Sequence, residues 1–380
     1  MERKTMKAAV IGCGMISEVY IPSIQKNFSI LDVVACSDLA RDRMEQTAAQ
    51  YGIKAMTQEE ILADPEIEMV INLTNPVAHY PVTKAALEAG KHVWSEKMIA
   101  VDLEQGRELV EIAKKNGVRL GVAPDTFLGA SVQTSRYIID KGLIGKPLSF
   151  VAHISRDYAV YGEILPHLRR KGGGILFDMG GYYLTALASL FGPVREVSAF
   201  TAINDPVRKG SRVDMGCKYY DEPYEIEVSN LIAASLKYDC GVIGTLHMNS
   251  DCLYRPTTAL VVYGTEGILT MGDPNEFGEP VKLTKLKDAE FEYPLTHDFK
   301  TNCRGLGAAE MAWAIRTGRP HRASMEMAFN VFETAHMIER SSAEGKVETL
   351  TSTFEKPAPL AAGFIGNGYW GPTAESALVK

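Results

Sequence analysis

An α/β fold is predicted for this chain of 380 residues. A parallel sheet occupies the N-terminal part, and an α+β part with a large, mostly antiparallel sheet follows. Three observations carry the prediction. Short apolar runs alternate with helical patterns as far as Ala123, the pattern of right-handed βαβ crossovers. The first run, Ala8–Ile11, ends in Gly12-Cys13-Gly14, a glycine-rich turn into a helix. From Val194 onward, strand patterns follow one another with hairpin turns between them.

The strands of the first part are expected at Ala8–Ile11, Leu31–Cys36, Ile67–Leu73, His92–Trp94 and Arg119–Ala123. Between them, Arg41–Tyr51 reads as a helix closed by Gly52, and Thr57 opens a short helix with Glu60 completing a capping box. Pro81–Ala89 closes at Gly90, and Asp102, with Gln105 in the box position, opens a longer helix that Gly117 ends. Beyond Asp125, a helix at Ala130–Lys141 precedes a strand at Leu148–Ile154. Glu227–Lys237 and Val242–Asn249 flank one hairpin turn, and Thr258–Tyr263 and Ile268–Met271 flank another. Helices at Leu306–Thr317 and Met325–Ala343 close the fold. The expected division is residues 1–125, 126–355 and an extended tail, 356–380, packed on a neighbour.

Composition narrows the function. Hydrophobic residues are 46% and charged residues 23%, ordinary globular values. A net charge of −7 without long runs argues against nucleic-acid binding, which needs a basic face. No apolar stretch reaches the length of a membrane span, and no leader pattern precedes the first strand. Six cysteines are scattered without metal-ligand spacing. Reduced thiols, a cytoplasmic location and no metal are the expectation.

The glycine-rich turn continues Gly12-Cys13-Gly14-Met15-Ile16-Ser17. It is the dinucleotide fingerprint of a Rossmann domain with Ser17 at the third glycine. Gly12 permits the tight turn, Gly14 lets the backbone approach a pyrophosphate, and the third position needs a small residue. The backbone N–H groups around Met15 and Ile16 open the helix and face the phosphates. Asp38, at the end of the second strand, suits the ribose hydroxyls of NAD and would repel the 2′-phosphate of NADP. Arg41 and Arg43 are the opposing consideration, so NAD is expected and NADP disfavoured.

Three further segments are more specific: Asn72-Leu73-Thr74-Asn75-Pro76 with His79, Ser95-Glu96-Lys97-Met98, and Gly172-Gly173-Gly174 through Asp178 to Tyr182. Together, in this order, they resemble the Gfo/Idh/MocA oxidoreductases, over about residues 6 to 350. The resemblance implies NAD(P)-dependent oxidation or reduction of sugars, polyols and related compounds. It maps the family's Glu-Lys-Pro onto Glu96, Lys97 and Met98, and places Lys97 against the reacting hydroxyl and nicotinamide. It carries over Asp178, and puts Tyr182 where many members have histidine, as in the glucose–fructose oxidoreductase and dihydrodiol dehydrogenase branches. Thr74, Asn75, His79 and Glu96 join the cofactor-binding set on the same resemblance. Asp125-Thr126-Phe127 occupies the loop after the Rossmann part and would mark a distinct substrate class.

Removing hydride from an alcohol requires a base for its proton. A free tyrosine ionises near pH 10, and an ammonium such as Lys97 beside Tyr182 would lower that. Plainer readings stand beside these: Lys97 in a surface ion pair, Tyr182 in the core, Asp178 as N-cap of a helix beginning near Gly180, His79 as a helix-start hydrogen bonder. His153, His167 and His247 are weaker candidates, and Arg156, Asp157 and Tyr161 lie on the expected substrate approach. The leading expectation is an NAD-dependent sugar or polyol dehydrogenase. The alternatives are a non-catalytic dinucleotide sensor on the same fold, and an enzyme that retains and recycles NAD. The run Leu231-Ile232-Ala233-Ala234 suggests burial on both faces of a strand, hence a homodimer or homotetramer packed through the second sheet.

Overall fold

The computed structural model describes residues 5–156, 163, 165–210, 220–251, 257–285 and 289–362. Strands β1 (Met6–Ile11), β2 (Leu31–Ser37), β3 (Lys54–Ala55), β4 (Met69–Asn72), β5 (His92–Ser95) and β6 (Leu120–Val122) form one sheet in the order β3-β2-β1-β4-β5-β6. Its neighbouring strands all pair in parallel. The crossovers are α1 (Ser17–Asn27), α2 (Arg41–Tyr51), α3 (Gln58–Ala63), α4 (Pro76–Glu88) and α5 (Leu103–Asn116). Winding reverses between β1 and β4, so a crevice opens at the carboxyl ends of the strands. The fingerprint turn, Asp38, Thr74-Asn75 and Glu96-Lys97 all follow strand ends on that edge.

The second part starts with α6 (Ala130–Asp140) and β7 (Pro147–Ser155), then α7 (Gly174–Phe191) and β8 (Val194–Ala202). A small ladder pairs β9 (Val207–Lys209) with β10 (Pro223–Glu225). The larger sheet adds β11 (Leu231–Tyr238), β12 (Ile243–Asn249), β13 (Thr257–Gly264), β14 (Gly267–Met271), β15 (Val281–Lys285), β16 (Phe291–Tyr293) and β17 (Glu348–Thr349). Its nine strands run β16-β15-β14-β13-β7-β12-β11-β8-β17. All its neighbours are antiparallel except β7 and β12, which are parallel. Helices α8 (Leu306–Thr317) and α9 (Met325–Glu344) return to the first sheet and to α7.

The apolar helix α7 is long and apolar enough to cross a membrane by length and composition, but 94% of it is buried within the fold. It is the core helix under the large sheet. Helix α8 lies so close to β5 that a Cβ on Gly307 would stand 2.0 Å from the Trp94 ring.

Several expectations change. Helix α4 begins at Pro76, capped by Asn75, and runs through Pro81 rather than starting there. Asp102 makes no capping hydrogen bond; its carboxylate pairs with Lys171 instead. Asp178 is no N-cap, because α7 starts at Gly174 and carries it in the second turn. Strand β11 alternates cleanly, with Ile232, Ala234 and Leu236 buried and Ala233, Ser235 and Lys237 exposed on the other face. The tail packs on its own chain as far as the described residues reach: Arg136 donates to the Pro357 carbonyl, Arg322 to those of Ala358 and Pro359, and Leu360 N–H to Gln133. Asp157, Tyr161 and residues 363–380 lie outside the described residues.

Candidate active site

Gly12 has φ +102, and a Cβ there would come within 2.7 Å of the Leu73 and Thr74 backbone. Only glycine fits this turn. A Cβ on Gly14 would meet nothing within 4 Å, so the space before it is open to a ligand. Ser17 fills the third position by turning its hydroxyl onto the Gly14 carbonyl at 2.6 Å. Asp38 accepts from the N–H of Cys13 and of Ala40, both at 2.8 Å, and Arg43 stands 3.2 Å away. The carboxylate thus ties the glycine turn to the β2–α2 loop. Arg41 is turned to Glu45 on its own helix. Met15, in the glycine turn, and Leu39, next to Asp38 in the chain, are exposed apolar side chains. These residues fit a dinucleotide: glycine backbone for the phosphates, a carboxylate for ribose, apolar side chains for a base.

At the end of β4, buried Asn72 organises the loop. Its amide donates to the His79 carbonyl at 3.1 Å and to Thr83 at 3.0 Å, and its oxygen accepts from the Thr74 hydroxyl at 2.6 Å. Asn75 caps α4 through the Ala78 N–H. His79 is buried, with Nδ1 2.7 Å from the Met98 carbonyl and Nε2 3.0 Å from that of Thr74. Burial pushes its pKa down. A neutral imidazole has a single N–H, so His79 donates to one of these two carbonyls and lies between the Thr74 and Met98 loops.

Beyond β5, Glu96 accepts from the Tyr20 hydroxyl at 2.7 Å and from the Lys97 N–H at 3.1 Å. The Lys97–Met98 peptide is cis, although Met98 stands where the family has proline. The Lys97 ammonium forms an ion pair with Asp178 and lies 4.9 Å from the Tyr182 ring centre. Asp178 and Tyr182 are four residues apart on α7 and so share a face. Burial opposes the Lys97 charge, but Asp178, Tyr182 and Glu96 outweigh it and hold the pKa above the ordinary value. For Tyr182 the balance runs the other way. Burial pushes the phenol up, and Lys97 and Arg304 only partly offset it. Lys97 does pull the Tyr182 pKa down, as expected, but desolvation is the larger effect, so the net shift is upward and the phenol is neutral near pH 7.

Two residues of the second part join the group. Arg304, which the sequence did not single out, donates to Tyr182 Oη at 3.3 Å and to Asn275 Oδ1 at 3.1 Å. His167 lines a cleft of about 540 Å³ between the first turn of α4 and Arg170 and Lys171. Burial, then the charge of Lys97, lowers its pKa. Asp125 takes a different place from the one expected. Its carboxylate is fully buried against α8, accepting from Gly305 N–H at 2.8 Å and Gly307 N–H at 3.1 Å. It is a helix anchor, not a substrate contact. His153 and His247 stack on each other on the outer face of the large sheet, the opposite face from Met248, which packs under Gly180 of α7. Arg156 touches Met179 Sδ at 3.6 Å. Among the described residues no cluster of His, Cys, Asp and Glu could hold a metal ion.

Residues 6–123 match the oxidoreductase family with NAD-binding Rossmann fold, GFO/IDH/MocA, and residues 132–270 match that family's C-terminal domain. The chain belongs to the GFO/IDH/MocA family. It is 32% identical over 151 residues to an inositol 2-dehydrogenase/D-chiro-inositol 3-dehydrogenase of Lactiplantibacillus plantarum, covering 39% of this chain and 43% of that one. It is 29% identical over 276 residues to the 1,5-anhydro-D-fructose reductase of Ensifer adhaerens, covering 70% and 76%. The chain spans about half the length of two of the curated relatives it matches, 43% and 54%. In fold it is similar to an NAD-binding oxidoreductase of Klebsiella pneumoniae, with TM-score 0.79, 21% identity and coverage of 91% and 99%.

Proposed function

We propose that this GFO/IDH/MocA member is an NAD-dependent oxidoreductase that moves a hydride between the nicotinamide and a CH–OH carbon of a sugar, polyol or related carbohydrate. One juxtaposition carries the reading. Lys97, Asp178 and Tyr182 converge beyond the carboxyl end of β5, on the same sheet edge as the Gly12–Gly14 turn and Asp38. NAD, when bound, supplies the hydride acceptor. Gly12, Gly14, Met15 and Ile16 would cradle its phosphates and Asp38 its adenosine ribose, with Thr74, Asn75, His79 and Glu96 shaping the nicotinamide half. The Lys97 ammonium donates to the substrate oxygen, and Asp178 holds it there. Tyr182, whose ring lies under the Lys97 ammonium, moves the substrate proton. Carbohydrate classes follow from the inositol dehydrogenase and anhydrofructose reductase among the relatives. We place the protein in the cytoplasm as a homo-oligomer; the described cysteines Cys13, Cys36, Cys240 and Cys303 are free, as a reducing compartment leaves them.

The test is NADH formation or consumption with a panel of polyols, sugars and glycosides and their ketones. Lys97→Ala and Tyr182→Phe should each lower turnover by at least about a hundredfold, the low end for acid–base catalysis, while NAD affinity of Tyr182→Phe stays unchanged. Clear NAD binding with no turnover of any compound would instead support the sensor. Wild-type turnover in Tyr182→Phe, with chemistry limiting, would move the proton-transfer role to another group, His167 first.

A further inference from the structure

A half-buried cation whose side chain has only neutral hydrogen-bond partners among the described residues needs a reason to be where it is. Arg304 is such a group. Its Nη2 carries two hydrogens, and the structure gives each one acceptor, Tyr182 Oη and Asn275 Oδ1. The backbone beneath it is pinned. Asp125, just beyond β6 of the Rossmann sheet, receives the N–H groups of Gly305 and Gly307. Gly305 has φ +100, and a Cβ there would press to 2.5 Å from Ile24. The first sheet thus fixes where Arg304 leaves the chain, and its side chain reaches across to α7.

The direction of the bond to Tyr182 matters. A guanidinium has donors and no acceptor. Tyr182 Oη is therefore the acceptor, and the phenol's own hydrogen points elsewhere. On the other side stands Lys97, also donor-only. Tyr182 Oη donates to no described group, so its proton is left for a ligand beside the ring over which Lys97 stands, 4.9 Å from the ring centre.

We propose that Arg304 is a positioning residue that aims the Tyr182 proton at substrate, fitting Tyr182 to protonate the oxygen of a carbonyl compound. This rests on the hydride-transfer reading above. In the reductive direction the carbonyl carbon gains a hydride supplied by NADH, and its oxygen takes the proton of Tyr182. One phenol O–H bond breaks and one alcohol O–H bond forms. The electron pair left on Oη lies between the Arg304 and Lys97 cations until solvent water returns a proton. Oxidation is the same path reversed.

Two measurements on Arg304→Met and Arg304→Lys test it. The first needs neither cofactor nor substrate: ionisation of Tyr182 in the free protein, read from near-ultraviolet tyrosinate absorbance as the difference from the matching Tyr182→Phe protein. Loss of an adjacent cation should raise the proton affinity of Tyr182 about tenfold or more in Arg304→Met, with Arg304→Lys in between. The second is steady-state kinetics in both directions. Turnover should fall about tenfold or more in Arg304→Met with KM little changed, and Arg304→Lys should recover part of it. An unmoved Tyr182 titration, or a raised KM at full turnover, overturns the proposal; the latter would make Arg304 a substrate-binding group. If Arg304→Met does not fold, Arg304→Lys alone decides by the same two readings. A shifted titration in a protein that reduces no carbonyl compound would overturn the hydride-transfer reading and leave the Arg304–Tyr182 coupling standing.

Discussion

Buried with one oxygen, Oδ1, lacking a partner among the described residues, the Asp125 carboxyl is pushed up from 3.8 to about 6. Burial is the main cause, and the Gly307 and Gly305 amides and the Arg304 charge pull the other way. The fold therefore favours protonated Asp125. That contribution is complete below about pH 4 and is lost as pH rises through 6, a change of about 3 kcal/mol. Asp125→Asn, neutral throughout, removes it. The stability of the variant relative to the parent, from urea unfolding, should rise steadily between pH 4 and 6; a constant difference across that window would refute the assignment. Asp38 allows a second test at this scale. Its carboxylate would face the 2′-phosphate of NADP with like charge, a few kcal/mol at close range, so kcat/KM should favour NAD. Asp38→Ser should narrow that preference by roughly tenfold or more; a parent protein that prefers NADP would show that Arg43 outweighs the carboxylate. Lys97, Asp178 and Tyr182 were legible in the sequence because each sits in a short local motif. Arg304 was not, because its meaning depends on Asp125, some 180 residues away in the chain, and on a partner on α7.

Helix ends were legible wherever a glycine takes up a left-handed conformation, as at Gly52 after α2 and Gly117 after α5. Pro81 misled for a physical reason. A proline inside a helix frees the carbonyl four residues back, here that of Val77, whose side chain is 68% exposed on the first turn of α4, where water can take the bond. Asp102 misled because Lys171, on another element, competes for the carboxylate that would otherwise cap α5. Close packing between elements was not legible at all. Nothing in Gly305-Leu306-Gly307 tells that α8 must lie flat on Trp94 of β5, yet a methyl group at Gly307 would overlap the indole at 2.0 and 2.6 Å. Gly307→Ala should therefore destabilise the protein by about 1–3 kcal/mol, the usual cost of overpacking a dense core, although alanine is the better helix former. A thermal midpoint equal to the parent's would mean that α8 can shift away from β5 at little cost.

On the scale of the whole molecule, the unbalanced feature is the large sheet. Its inner face is covered by helices, and Ile232, Ala234, Leu246, Met248, Ala152 and Ile154 are buried there. Its outer face carries Phe200, Val151, Ile243 and Tyr263, all exposed, with Phe200 at 79%. Strand registers place Phe200, Ala233, His247, His153 and Ala259 in one transverse row on that face. The sequence had suggested self-association from an uninterrupted apolar run, but β11 alternates. The case now rests on what the alternation exposes. Seven of the strands have five residues or more. At about 4.8 Å between strands and about 3.3 Å per residue they offer roughly 700 Å² before side-chain relief, close to the about 800 Å² each partner gives a standard interface. Small residues in the transverse row let a second sheet approach, and the exposed aromatics at its borders supply area. We therefore expect a homodimer, or a homotetramer built from it, joined face to face through this sheet. Light scattering at micromolar concentration should give a multiple of the chain mass, and Val151→Glu, which puts a charge in the middle of the face without touching the inner core, should return it to a monomer that still binds NAD. A monomeric parent, or an unchanged mass in Val151→Glu, would exclude this face as the interface.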